Sequence, residues 1–205
     1  MDRRVCDGRG RQQSASCAAA VGVAQNAEPA WSPDQQWLAY PKAFSLVRIR
    51  LDGTGERVIT DGAAAPSWSP DGQRIALALN GGIAVSNLDG SDRRPVVAPG
   101  VDPAWSPDGR RVAYAAGDRG ASFIYTVNVD GTEIRRVTTP TTDSTKTTDL
   151  SPAWSPDGRW IAFQREHGCV SLLYCIGSWD IFVTRADGTD LRKVTTDGNS
   201  VRPSW

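Results

Sequence analysis

Histidine is almost missing from this sequence: His167 is the only one in 205 residues. A Ser-His-Asp triad would have to use it, yet no Gly-x-Ser-x-Gly elbow presents a nucleophilic serine. No His/Cys spacing matches a zinc site. The alternating acidic ligands of a calcium loop are absent too. Net charge is also lacking, with Lys plus Arg at 23 and Asp plus Glu at 23. No basic excess therefore draws the chain to nucleic acid or to an anionic membrane. No apolar run approaches the ~20 residues that cross a bilayer as a helix, and helix signals are scarce. Together these absences argue against a triad hydrolase, a metalloenzyme, a nucleic-acid binder and a helical membrane protein. No cofactor or metal is expected.

Gly, Pro, Asp and Thr, by contrast, are plentiful, as expected for many short strands joined by tight turns. They recur in a fixed unit. Trp105-Ser106-Pro107-Asp108-Gly109 reappears as Trp68 to Gly72 and as Trp154 to Gly158. A worn copy stands at Trp31-Ser32-Pro33-Asp34, and Pro203-Ser204-Trp205 begins another. Trp31 to Trp68 and Trp68 to Trp105 are both 37 residues, and the later steps lengthen to 49 and 51. A signature at this period marks an array of one supersecondary unit.

The unit has a mechanical meaning. Pro presets φ for the second turn position, Asp tolerates the third, and Gly takes the positive φ that follows. The Trp before it fills space between packed sheets. Gln35 stands where the other copies have Gly. Keeping the same geometry there should cost roughly 1 kcal/mol.

Each repeat from Glu28 onward predicts four strands. Second strands such as Ile75-Ala76-Leu77 and Trp160-Ile161-Ala162-Phe163 alternate large and small apolar residues, with no polar face. Such strands are buried on both sides. The outer strands end in Arg-Val-Ile-Thr or Arg-Arg-Val-Thr and are expected to be half-exposed. The fold class is all-β: a β-propeller of four-stranded blades stacked around an axis. About four blades are present, near 28–62, 63–99, 100–149 and 150–204. Residues 1–27 lie outside the array. They form a disordered leader or a degenerate export signal, with an Arg-rich start and the weak apolar centre Ala18 to Ala24. Cys17 faintly suggests a lipoprotein cleavage site but lacks the large aliphatic upstream.

The pattern P-x-W-S-P-D-G, then an apolar I-A-F/Y, then D-G-T and R-x-V-T, resembles the WD-like repeat of TolB-type propellers across residues 28–205. The resemblance implies an extracytoplasmic scaffold, periplasmic or secreted, that binds a protein on its rim or axial mouth. Such propellers carry six or more blades. The chain is therefore expected to be a fragment, an open arc, or a ring completed by association. An open blade edge would invite self-association. A detached accessory propeller of a larger enzyme, such as a prolyl-oligopeptidase-type serine peptidase, is the second reading. A sugar-degrading lyase with a related propeller would need several histidines.

Repeat length grows only in the second-to-third strand loop and in the connector to the next blade. Both emerge on one rim, where repeat proteins often place binding insertions. The segment Gln164–Asp180 supplies most of the growth, with Arg165, His167, Tyr174 and Trp179 as expected partner contacts. The alternative is that Leu172, Leu173 and Trp179 fold back over the blade and pack there. His167 is otherwise an exposed loop histidine. Cys169 and Cys175 in that segment are expected to form a disulfide, with two free thiols as the alternative. The linker 139–149 is expected to be a solvated loop. Three residues before each Trp stand Glu28, Ala65, Asp102, Ser151 and Arg202. This position varies beside constant neighbours and falls near the axis. Asp102, Ser151 and Arg202 are thus candidate partner contacts at the mouth, or simply solvated residues there.

Overall fold

The computed structural model describes residues 28–118, 121–140, 147–167 and 178–205. They contain sixteen strands and no helix. Blade one comprises β1 (Ala30–Trp31), β2 (Trp37–Lys42), β3 (Ser45–Arg50) and β4 (Arg57–Asp61). Blade two comprises β5 (Ala63–Trp68), β6 (Arg74–Leu79), β7 (Gly82–Asn87) and β8 (Arg94–Val97). Blade three holds β9 (Val101–Trp105), β10 (Arg111–Asp118), β11 (Ala121–Asn128) and β12 (Arg135–Arg136). Blade four holds β13 (Thr148–Trp154), β14 (Trp160–His167), β15 (Ser178–Arg185) and β16 (Arg192–Lys193). Neighbouring strands within each blade pair antiparallel. This is the all-β, four-bladed, unclosed propeller that the repeats predict.

Each inner strand ends in the Trp and turns through Ser-Pro-Asp. The serine makes this turn specific. In blade three Ser106 Oγ donates to Asp108 Oδ1 (2.5 Å) and accepts from the Arg111 N–H (2.9 Å). Asp108 Oδ1 also accepts from the Arg110 N–H (3.0 Å). The same three bonds recur around Ser32, Ser69 and Ser155. Gln35 adopts φ 57° and donates its N–H to Ser32 O (2.9 Å), so it keeps the left-handed geometry of the glycines. The second turn uses one carboxylate in the same way. Asp130 Oδ1 accepts from Thr132 N–H (2.9 Å) and Oγ1–H (2.6 Å), as Asp52, Asp89 and Asp187 do in their blades.

Three cores lie between successive blades. The second strand of each blade feeds two of them. Ile75 and Leu77 of β6 face blade one, while Ala76 faces blade three. Val112 and Tyr114 of β10 face blade two, while Ala113 and Ala115 face blade four. Large side chains thus point to the preceding blade and small ones to the next, so facing sheets interdigitate. Blade one has no preceding neighbour among the described residues, and its Leu38 and Tyr40 are only half-buried. Trp31 is likewise 57% exposed, whereas Trp68, Trp105 and Trp154 are 7–8% exposed.

The tryptophans also clasp backbone. Trp68 Nε1 donates to Ala30 O (3.0 Å), and Trp154 Nε1 to Ala104 O (3.1 Å). Trp205 Nε1 docks on Ala153 O (3.1 Å) in the same way. Trp105 departs from the pattern. Ser67 replaces the alanine, its Oγ accepts from the Trp105 N–H (2.9 Å), and the indole N–H has no partner. Arg74 and Arg111 lay their guanidinium groups over Trp105 and Trp154 of the following blades (both 5.3 Å). The glycine of the second turn also packs between blades. A Cβ on Gly90 would sit 2.0 Å from Ile59 O of blade one.

Two expectations need correction. The stretch 139–149 is not one solvated loop, because β13 begins at Thr148 and both Thr147 and Asp149 are buried. Gln164–Asp180 is not one loop either. Its first four residues continue β14, and Ser178 to Asp180 open β15. The extra length becomes ladder because the added strand residues capture the connector to the next inner strand. Ser122 of β11 accepts it in parallel register with Thr148, which fuses blades three and four into one sheet. Trp179 repeats this geometry with Asn199.

The Ser-Asp turn generates two predictions. Ser106→Ala should lower unfolding free energy by about 1–2 kcal/mol, since it removes the hydroxyl that satisfies the Arg111 amide. Urea unfolding measures this. The second prediction concerns acid. The turn carboxyls Asp34, Asp71 and Asp157 are held below their ordinary value of 3.8, chiefly by the serine hydroxyl, and Asp52, Asp89, Asp130 and Asp187 chiefly by the threonine or serine two residues on. Their folded values are depressed, so the stability they contribute is present above about pH 4 and is lost as pH falls through the folded values. Melting temperature should therefore fall below about pH 4. An acid limb unchanged by Asp71→Asn plus Asp157→Asn would contradict this assignment.

Candidate functional site at the axial mouth

The inner strands β5, β9 and β13 each break their ladder at the step before proline. Opposite β6, pairing jumps from Ala64↔Ala78 to Ser67↔Ala76. Equivalent jumps flank Asp102-Pro103 and Ser151-Pro152. Each jump is a bulge, which bends a strand and re-aims a side chain. Proline fits there because it has no N–H for the ladder. The residue before it takes positive φ: Ala65 48°, Asp102 50°, Ser151 51° and Arg202 58°. Residues before proline normally stay extended. Each such non-glycine therefore stores strain on the order of 1–2 kcal/mol.

The five variable positions come to one place, three of them through these bulges. Glu28, Ala65, Asp102, Ser151 and Arg202, with the prolines that follow them, line a cavity of about 360 Å³ at the axis. The spacing three residues before each Trp predicted this grouping. Asp102 is nearly buried, and its Oδ2 accepts from Ser151 N–H (3.2 Å) and Oγ–H (3.3 Å) across the blade boundary. The Arg202 N–H donates to Gln164 Oε1 (2.9 Å). The Arg202 side chain pairs with Glu28, so the first and last of the five positions meet at the mouth. The cavity is walled by prolines and carries the half-exposed Glu28–Arg202 pair together with the nearly buried Asp102. Such a lining suits a mixed polar and apolar segment of another molecule.

The other predicted contacts fall differently. Arg165 is 1% exposed and forms a bidentate pair with Asp149, itself fully buried: Nε to Oδ1 2.6 Å and Nη2 to Oδ2 2.8 Å. Its Nη2 also reaches Thr139 O (3.3 Å), and its guanidinium lies over Phe163 and Phe182. Arg165 is thus an internal brace between the connector and blade four. Its burial removes it from the proposed contact surface. Trp179 belongs to β15, half-buried, with its N–H on Gly198 O (2.8 Å). The backbone of His167 ends β14, paired with Ser178. Tyr174, Cys169 and Cys175 lie outside the described residues, so the expected disulfide does too. Among the described residues no three His, Cys, Asp or Glu side chains gather into a metal-binding group. No helix there is long and apolar enough to cross a membrane.

Sequence reasoning missed the Asp149–Arg165 brace and Asp180, whose carboxylate accepts from Thr195 Oγ1–H and Gly198 N–H (both 3.1 Å). Alternation within β14 could have signalled the brace, since Arg165 follows the buried Ile161 and Phe163 at a spacing of two.

The chain belongs to the TolB β-propeller domain family, whose model matches residues 40–205. Solved structures agree in fold. TolB from Acinetobacter baumannii aligns at 22% identity and a TM-score of 0.66, covering 86% of this chain and 44% of that one. A protein assigned as TolB from Agrobacterium tumefaciens aligns at 18% and 0.54, covering 80% and 78%. Acylaminoacyl peptidase from Pyrococcus horikoshii aligns at 18% and 0.52, covering 82% and 32%. The chain thus spans less than half of the Acinetobacter protein and about a third of the peptidase. Among curated proteins no relative matches.

The brace yields a prediction. Asp149→Ala should destabilise the fold by about 3–5 kcal/mol, because it leaves a buried guanidinium without its counter-ion. Asp149→Leu combined with Arg165→Met should cost much less. Denaturant unfolding of both variants compares them, and equal losses would mean that packing rather than charge dominates the site.

Proposed function

We propose that this protein is a non-enzymatic, protein-binding scaffold of TolB type that works outside the cytoplasm and grips its partner at the axial mouth. One observation carries the reading: the variable positions Glu28, Ala65, Asp102, Ser151 and Arg202 are all held on the axial cavity, four of them at positive φ and three of these on bulges. Strain kept at one repeated position, while the flanking residues stay constant, favours a role in recognition over one in folding. The long hairpins β10–β11 and β14–β15 stand on the same rim, so Trp179 would border the partner. Family membership supports the extracytoplasmic placement.

A photo-crosslinking residue at Ala65 should give an adduct with one discrete protein in the producing cell. The same residue at Gln73, on the opposite rim, should not. Adducts only from Gln73 would move the function to the turn rim.

A second reading has its own support. The match to part of a peptidase fits an accessory propeller that gates a serine hydrolase carried on the same polypeptide. A fluorophosphonate probe decides between them: labelling of the native polypeptide favours the gated enzyme, and an unlabelled polypeptide favours the scaffold.

A further inference from the structure

The rim opposite the mouth carries a second cleft, between blades three and four. Arg111, Arg135, Arg159 and Arg185 line it together with Ala186 and Asp187, and its volume is about 320 Å³. The four arginines occupy fixed repeat positions. Two follow the first turns of adjacent blades, one precedes the second turn of blade four, and one opens the outer strand of blade three. The same positions between blades one and two hold Trp37, Arg57, Gln73 and Asn87. Between blades two and three they hold Arg74, Arg94, Arg110 and Asn128. Only the last junction has arginine at all four.

Of the local carboxylates only Asp187 lines the cleft, and Asp157 and Asp190 already accept hydrogen bonds elsewhere. Asp92 pairs with Arg94 at 2.8 Å, whereas among the described residues no ion pair joins Glu133, its counterpart in blade three, to Arg135. Asp190 reaches Arg185 at 3.6 Å while Arg192 holds both its oxygens at 2.7 and 2.6 Å. Asp157 lies 3.9 Å from Arg159 and is committed to Ser155 and the Arg159 amide. Asp187 accepts from Thr189 and also attracts Arg185 and Arg135, and Asp108 attracts Arg111, so the carboxylates offset part of the positive charge. Two of the guanidinium groups are held in place by aromatic rings: Arg111 over Trp154 at 5.3 Å and Arg185 over Trp160 at 4.9 Å. Four like charges in one cleft repel, and those fixed in place cannot swing away. A planar guanidinium fork matches phosphate oxygens in pairs.

We propose that this cleft binds a multivalent oxyanion of phosphate chemistry, either free or carried on a larger molecule. The site is separate from the axial mouth and does not depend on the function proposed for it. The full chain would be titrated calorimetrically with pyrophosphate in low salt, and sedimented with vesicles containing phosphatidic acid. Arg135→Gln plus Arg159→Gln should weaken whichever ligand binds by about tenfold or more. Arg94→Gln at the previous junction should leave binding unchanged. Pyrophosphate binding without vesicle binding assigns a free oxyanion, and the reverse assigns a lipid headgroup. Where pyrophosphate binds, it should also raise the melting temperature of the parent chain, but not of the double variant. No binding of either probe, equal binding by the double variant, or equal weakening by Arg94→Gln would overturn the proposal.

Discussion

A single blade cannot bury its own faces, and the rest of this structure follows from that. Each second strand solves the problem by pointing bulky residues backward and alanines forward, so Tyr114 fills one core while Ala113 and Ala115 make room in the next. The inner-strand tryptophan locks the stack by reaching the carbonyl before the preceding tryptophan. Burial of each indole body at roughly 25 cal/mol per Å² outweighs the net gain from its one hydrogen bond. The bond instead sets the register between blades. Trp105 shows the division of labour, since it stays buried although its N–H has no partner.

Rigid stacking has a consequence at the axis. The inner strands converge there, and each must turn from the connector into the ladder within two residues. The X-Pro bulge makes that turn at the cost of a left-handed φ. The geometry leaves the side chain before proline free to vary while proline and Trp stay constant. A rim of exchangeable side chains on a fixed frame is what a binding scaffold requires. The opposite rim is built from tight turns whose carboxylates already accept hydrogen bonds, and four arginines gather there between blades three and four.

Much of this was legible in the residues. The repeat gave the blades, and the positions of Pro, Asp and Gly gave the turns. The alternation in Ile75-Ala76-Leu77 announced a strand buried on both sides, and the variable place before each proline located the mouth. The extended hairpins were harder to see. Arg165 and Asp149 have the same identities as a solvated surface pair, and only the register of β13 against β14 sets them opposite each other in the interior. The Thr-rich stretch before them has loop composition, yet its end pairs with Ser122 because β11 is long enough to reach it. Trp179 looked like an interface anchor. Its backbone belongs to the β14–β15 ladder and makes a single parallel bridge with Asn199, a long-range pairing that local composition does not encode.

The central claim is that blades are stable only through their neighbours. Amide hydrogen exchange on the full chain carrying Trp105→Ala tests it most directly. The indole sits between blades two and three, so protection should fall together in β6–β7 and in β10–β11. Loss confined to blade three, with β6–β7 as protected as before, would show that the blades are independently stable and would contradict the account.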